Sequence, residues 1–252
     1  MSGRIGYYGG IVKNGLVLDL DAGKKDSYNR VGTSWNDISD NGYNGILTNG
    51  PTFNINNGGY FQFDGTNDYT TLGNVSNLGF TNGIFTIEAW IYVPSTWTAA
   101  GSPYPNIISK GAKAGWDTDG WSLFCFRDYP SSGQFTWGFG MRNTGVVNTR
   151  VRVNMPINQY IQIVAVINGI VDTTLYENGV FNVSGIVGQP AEGNNANTIT
   201  PASNTTDVLV GADSGLPRQY FPGRISIVRL YDRVLSASEV LRNYNATKGR
   251  YL

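Results

Sequence analysis

The sequence predicts an all-β protein: two antiparallel sheets packed face to face as a jelly-roll sandwich, with one short helix near the C-terminus. Three observations carry that prediction. Apolar residues alternate with period two along most of the chain, Asn-Gly pairs punctuate the alternating runs, and one segment alone carries a helix start signal.

The clearest run is Ile84 to Val93, where Phe85, Ile87, Ala89, Ile91 and Val93 fall on one face and are expected to be buried. Comparable runs cover Gly15 to Asp21, Tyr60 to Asp64, Asn106 to Lys110, Trp121 to Arg127, Gln134 to Met141, Tyr160 to Asn168, Val171 to Glu177, Asp207 to Ala212 and Gly223 to Tyr231. Asn-Gly pairs begin at Asn14, Asn49, Asn82, Asn168 and Asn178, where that dipeptide adopts the positive φ of a tight turn at least cost. The last two pairs predict a three-stranded meander running from Tyr160 to Val183.

In the last run, Ile225, Ile227 and Leu230 or their immediate strand neighbours are expected to be largely buried, whereas Arg224 and Arg229 differ in parity and are expected on opposite faces. Immediately after it, Ser236-Ala237-Ser238-Glu239 has the form of a capping box, followed by apolar Val240, Leu241 and Tyr244, which predicts a helix over 237–246. Segments 94–105 and 185–204 read as loops. No break in composition marks a second domain, so the expected organisation is an N-terminal arm, 1–10, and one domain, 11–252.

Composition excludes several classes of function. The chain is 40% hydrophobic and 14% charged, with 18 basic and 18 acidic residues, so no net field gathers nucleic acid or an anionic membrane. No apolar stretch is long enough to span a bilayer, and the N-terminus lacks the apolar run of a signal peptide. The single cysteine, Cys125, excludes an intrachain disulfide, and its place between Phe124 and Phe126 suits a strand.

Three blocks together resemble the laminin-G-like, concanavalin A-like lectin/glucanase superfamily, in the form found in bacteriophage virion proteins. They are Gly15 to Gly23 with Trp35 to Gly45 and Gly50 to Phe53, then Phe61 to Tyr69 with Phe85 to Trp90, then Gly223 to Ser236 running into Glu239. The resemblance implies a jelly roll and a virion setting: a protein made in the host cytoplasm and built into a particle, as a capsid decoration or tail appendage, through contacts with other virion proteins or copies of itself. A carbohydrate-binding lectin module is the alternative, and a glycan hydrolase the remote one. The family's usual acidic residue after Gly-x-Ile is Ser226 here.

Catalysis finds little support. With no histidine, every His-based triad, base or metal site is absent. The four glutamates, Glu88, Glu177, Glu192 and Glu239, never form the alternating carboxylate triplet of the fold's glycan hydrolases, and Glu88 stands alone on its strand. The expectation is no enzyme and no required cofactor. Calcium is the one metal with candidate donors, best at Asp64, Asn67 and Asp68, although Asp and Asn in turns more often bond their own backbone. A surface glycan would need an aromatic platform beside amides or carboxylates, and the candidates are Trp97, Tyr104, Trp116 and Tyr129 with Asp117 and Asp119. In the arm, Tyr7 and Tyr8 between glycines are candidates for contact with a neighbouring subunit.

Overall fold

A computed structural model describes residues 9–98, 104–111, 119–127, 133–143, 146–169, 172–184, 200–214 and 219–252. The strands are β1 (Leu16–Asp21), β2 (Ser34–Trp35), β3 (Gly45–Thr48), β4 (Thr52–Asn54), β5 (Tyr60–Asp64), β6 (Tyr69–Thr71), β7 (Ile84–Tyr92), β8 (Asn106–Lys110), β9 (Gly120–Arg127), β10 (Phe135–Asn143), β11 (Val146–Asn154), β12 (Tyr160–Asn168), β13 (Asp172–Glu177), β14 (Val180–Ser184), β15 (Val208–Val210) and β16 (Pro222–Tyr231). Among the described residues the one α-helix, α1, spans Ala237–Thr247.

These strands form two antiparallel sheets. The first has the order β14-β13-β12-β7-β16-β5-β4, with β1 joined to the end of β16 that β5 leaves free. The second has the order β11-β10-β9-β8-β15-β6-β3-β2. The expected jelly-roll sandwich is therefore what forms, and the predicted meander is the β12-β13-β14 edge of the first sheet. Its last turn places both Asn178 and Gly179 at positive φ, 51° and 77°.

Alternation along each strand decides the layers. Phe85, Ile87, Ala89 and Ile91 of β7 and Trp121, Leu123 and Cys125 of β9 all point between the sheets and are buried. The lone cysteine is thus a core residue, and burial pushes its thiol far above the usual range. Each large apolar side chain buried this way stabilises the fold by roughly 1.5–3 kcal/mol.

One expectation about faces is corrected. In β16, Ile225 lies opposite Ile91 and Ile227 opposite Trp90, so Ser226 is an extra residue, a β-bulge. The bulge reverses parity: Ile225, Ile227 and Leu230 are all buried as expected, but Ile225, Val228 and Leu230 enter the main core while Ile227 joins an outer cluster with Tyr60, Trp90, Tyr160 and Tyr251. Arg224 and Arg229 therefore share the outer face rather than taking opposite ones. Arg224 lies beside Tyr60 and Tyr92, and Arg229 beside Glu88.

The helix covers that outer face. Ser236 Oγ accepts from Glu239 N, and Glu239 Oε2 accepts from Ser236 N at 2.9 Å, the reciprocal cap foreseen in the sequence. Val240, Asn243 and Thr247 face the sheet. The main chain before β1 runs beside α1: Arg242 Nε donates to Gly10 O (2.7 Å), Val12 N donates to Asn243 Oδ1 (2.8 Å), and Ile11 and Val12 are buried. Tyr7 and Tyr8 lie outside the described residues.

Candidate functional site

Beneath α1 lies a buried ionic network built on three carboxylates, Asp19, Asp21 and Glu88. Arg229, fully buried, holds Asp19 at 2.8 Å and Glu88 at 3.0 Å, with Asp21 at 3.7 Å. Arg250 clamps Asp21 with two bonds of 2.7 and 2.8 Å. Gln162 Nε2 and Asn243 Nδ2 donate to the two oxygens of Glu88 at 2.9 and 2.7 Å. Glu88 is therefore not alone, as its strand neighbours suggested, but central to a network that links β1, β7, β12, β16 and α1. Burial opposes charge on Arg229 and Asp21, but the opposite charges outweigh it, raising the arginine's pKa and lowering the aspartate's. Glu177 accepts from Trp137 Nε1 (2.6 Å), and burial lifts its pKa. Glu239 is bound to Arg233 and the helix cap.

The other exposed-side surface is the outer face of the second sheet. Because Trp121, Leu123 and Cys125 point inward, Ser122, Phe124 and Phe126 of β9 point outward. Tyr104 stacks on Phe126, with centroids 4.8 Å apart and planes at 25°, and meets Phe124 edge-on at 6.2 Å. Its backbone is pinned on both sides: Tyr104 N donates to Gln219 Oε1 and Asn106 Nδ2 donates to Tyr104 O, each at 3.0 Å. Tyr104 and Phe126 are half-buried, whereas Phe124 is buried.

At the opposite end of β9 the character changes. Asp119 faces Arg142 at 3.7 Å, and Asn204 Nδ2 donates to Asp119 O at 2.9 Å. Lys110 Nζ donates to Asn74 Oδ1 (2.9 Å) and Thr206 O (2.8 Å), and its burial lowers its pKa. Segment 211–214 lies over β8, where Ser109 Oγ donates to Ala212 O and accepts from Ser214 N. Gly120 to Phe126 spans six residue steps, roughly 20 Å at strand rise. Tyr104 and Asp119 thus mark two ends of one face and are not one constellation.

The remaining sequence candidates divide as follows. Trp97 is buried in the core against Phe135, at 5.6 Å, and offers no platform, so its assignment as a surface residue is corrected. Trp116, Asp117 and Tyr129 lie outside the described residues. Phe124, Phe126 and Arg142 were not foreseen, although the alternation of β9 already places Phe124 and Phe126 opposite the buried Trp121 and Leu123.

Asp64, Asn67 and Asp68 do come together, as a turn. Asp64 Oδ1 accepts from the N–H groups of Thr66, Asn67 and Asp68 at 2.7, 3.2 and 3.3 Å, and Asp68 Oδ2 accepts from Asp64 N at 3.0 Å. Burial penalises charge on both, but on Asp64 the three backbone donors prevail and its pKa falls, while that of Asp68 rises. Among the described residues no group of three or more His, Cys, Asp or Glu is placed to hold a metal.

With this geometry in place, comparison with known proteins defines the class. The family model described as "Concanavalin A-like lectin/glucanases superfamily" matches residues 64–241, and the chain belongs to that family. No curated protein sequence matches it. Among solved structures, it is similar to the binding domain of Paraclostridial Mosquitocidal Protein 1 (TM-score 0.65, 18% identity, 93% of this chain and 52% of that one). It is also similar to Domain 4 of AbnA, a GH43 extracellular arabinanase from Geobacillus stearothermophilus, in complex with arabinotriose (TM-score 0.60, 15% identity, 91% and 98%). A third is the receptor binding domain of the botulinum neurotoxin C/D mosaic serotype (TM-score 0.63, 15% identity, 93% and 52%). The chain spans about half the length of the toxin domains and nearly all of the arabinanase domain.

Proposed function

We propose that this chain is a non-catalytic binding module that recognises a saccharide on the outer face of the second sheet, at the end marked by Tyr104. The observation that carries this reading is the braced aromatic platform. Tyr104 and Phe126 supply half-buried rings whose positions are fixed by stacking and by the Gln219 and Asn106 bonds, so little ordering entropy opposes binding. Half-buried Gln219 places an amide group next to those rings, where sugar hydroxyls need one, while buried Asn106 holds the Tyr104 backbone from behind. The lectin-type fold and the similarity to a domain in complex with arabinotriose support the same class of ligand. The non-catalytic half of the proposal rests on the described glutamates, each held by a structural partner. A glycan-array screen tests it: Tyr104→Ala and Phe126→Ala should lose the hits of the unmodified protein while keeping its melting temperature within a few degrees. Retention of every hit by both variants would defeat it.

A second reading, assembly into a virion, is favoured by one feature. Edge strand β14 exposes Val180 and Phe181, 64% and 55% accessible, next to exposed Leu241 of α1. If particle assembly is the role, mass spectrometry of purified virions finds the chain in fixed stoichiometry and Phe181→Ser reduces its incorporation.

A further inference from the structure

The second sheet buries a lysine whose direct partners are neutral. In the register of β8 on β9, Lys110 stands opposite Trp121, a core residue, so alternation sends its side chain between the sheets rather than towards water. Lys110 is fully buried, and its Cε reaches the segment at Gly79. A lysine is rarely buried unless paired with a carboxylate. Here Nζ donates to two uncharged oxygens, Asn74 Oδ1 at 2.9 Å and Thr206 O at 2.8 Å. Asp207, which accepts from Thr71 Oγ1 at 3.1 Å, acts on Lys110 through its charge but forms no ion pair with it.

Loss of water favours the neutral amine and outweighs the pull of Asp207, so the pKa of Lys110 lies below its ordinary value. A neutral lysine amine is a nucleophile, and the carboxamide it touches has an electrophilic carbonyl carbon. The fold holds both partners. Lys110 sits on an interior strand, and Asn74 lies in the bend between β6 and the 3-10 turn Ser76–Gly79, where Val75 N donates to Gly73 O and Leu78 N to Val75 O. Groups fixed in contact react as if at very high concentration, which makes accessible a step that is negligible between free molecules. Asn74 is an exposed residue, so the departing nitrogen has a way out.

We propose that Lys110 and Asn74 join covalently in an isopeptide bond that the folded chain forms by itself. The free amine of Nζ attacks Asn74 Cγ, the Cγ–Nδ2 bond breaks, and the Nζ–Cγ amide replaces it. Counted from the lysine ammonium, Nζ gives up two protons and both leave on the departing nitrogen. Ammonium and carboxamide thus become a secondary amide and an ammonium ion, with no oxidant and no further reactant. Asp207 is the carboxylate that relays those protons. The bond ties β8 to the bend after β6, closing a loop of 36 positions.

Mass spectrometry of the full chain, folded and then denatured, tests the bond. The mass should fall short of the sequence by one ammonia. Digestion should yield a branched peptide joining Lys110 to Asn74, with the Lys110–Gly111 bond left uncut by trypsin. Asn74→Ala and Lys110→Arg should each show their full sequence mass and melt roughly 10 °C lower, the loss expected when a cross-link closing a loop of this length is removed. Asp207→Ala should form the bond more slowly, and an unchanged rate would exclude Asp207 as the relay. The proposal falls if the natural sequence has its full mass and trypsin cuts after Lys110. It falls equally if the mass deficit persists in Lys110→Arg with no branched peptide, because a succinimide at an Asn-Gly pair then accounts for the lost ammonia.

Discussion

The outer faces of the two sheets differ in what covers them. On the first sheet, α1 and the chain around Val12 seal Asp19, Asp21, Glu88 and Arg229 from water, and each carboxylate faces a cation. On the second sheet, β9 presents Phe124 and Phe126 with Tyr104 laid across them, and Asp119 remains 29% accessible beside Arg142. Similar residue types therefore serve structure where a helix closes over them and stay available where it does not. The covering element, more than the residue, separates the two roles.

Removing Arg229 should break this contrast most severely. Arg229→Met leaves Asp19 and Glu88 buried without their closest cation, at a cost of about 3–5 kcal/mol, a large part of the 5–15 kcal/mol that holds a domain together. Urea denaturation should show a midpoint lowered accordingly, or no soluble protein. A midpoint within experimental error of the unmodified protein would mean that the network is not sealed as described.

The network also shows what the sequence could reveal. Strands with one apolar face, such as β7 and β12, stand out because burial imposes alternation on them, and the cap of α1 is a local pattern of four residues. The pairing of Glu88 with Arg229 is different, since it joins residues 141 apart. Reading it required the register of β16 on β7, and the bulge at Ser226 shifts that register in a way no alternation rule anticipates. Strands β2, β4 and β6, two or three residues each, are too short to show a period. Edge strand β11 alternates Val with Arg and Asn and lacks the aromatic residues that marked its neighbours. At the candidate site, Tyr104 was visible as a loop aromatic, but its partner Phe126 was not, because stacking depends on how the 104–106 segment meets β9.

A smaller effect is expected at the helix cap. The Arg233 hydrogen bonds, aided by Ser236, lower the pKa of Glu239 from an ordinary value of 4.5 to about 2. A depressed folded-state pKa gives stability that is fully present above 4.5 and lost as pH falls towards 2. The side chain is 29% accessible, so solvent screening keeps the total near 1 kcal/mol. Glu239→Gln should lower the melting temperature by a few degrees at pH 7 and leave it nearly unchanged at pH 2. An equal loss at both pH values would assign the effect to packing rather than to charge.

The smallest effect concerns the Asp64 turn. Its Oδ1 already accepts three backbone N–H groups, so the loop is closed by the protein itself. Excess chelator should leave the melting curve unchanged. A fall that grows with the calcium concentration of the reference sample would instead place a metal on Asp64, Asn67 and Asp68.

The division between a sealed face and an available one is tested most directly by mapping backbone amide shifts during titration with arabinotriose, the ligand of the structurally similar arabinanase domain. Saturable shifts should concentrate at Tyr104, Asn106, Phe124 and Phe126, with α1 and β7 unaffected. Saturable shifts centred on α1 or β14, with the Tyr104 platform silent, would contradict the assignment.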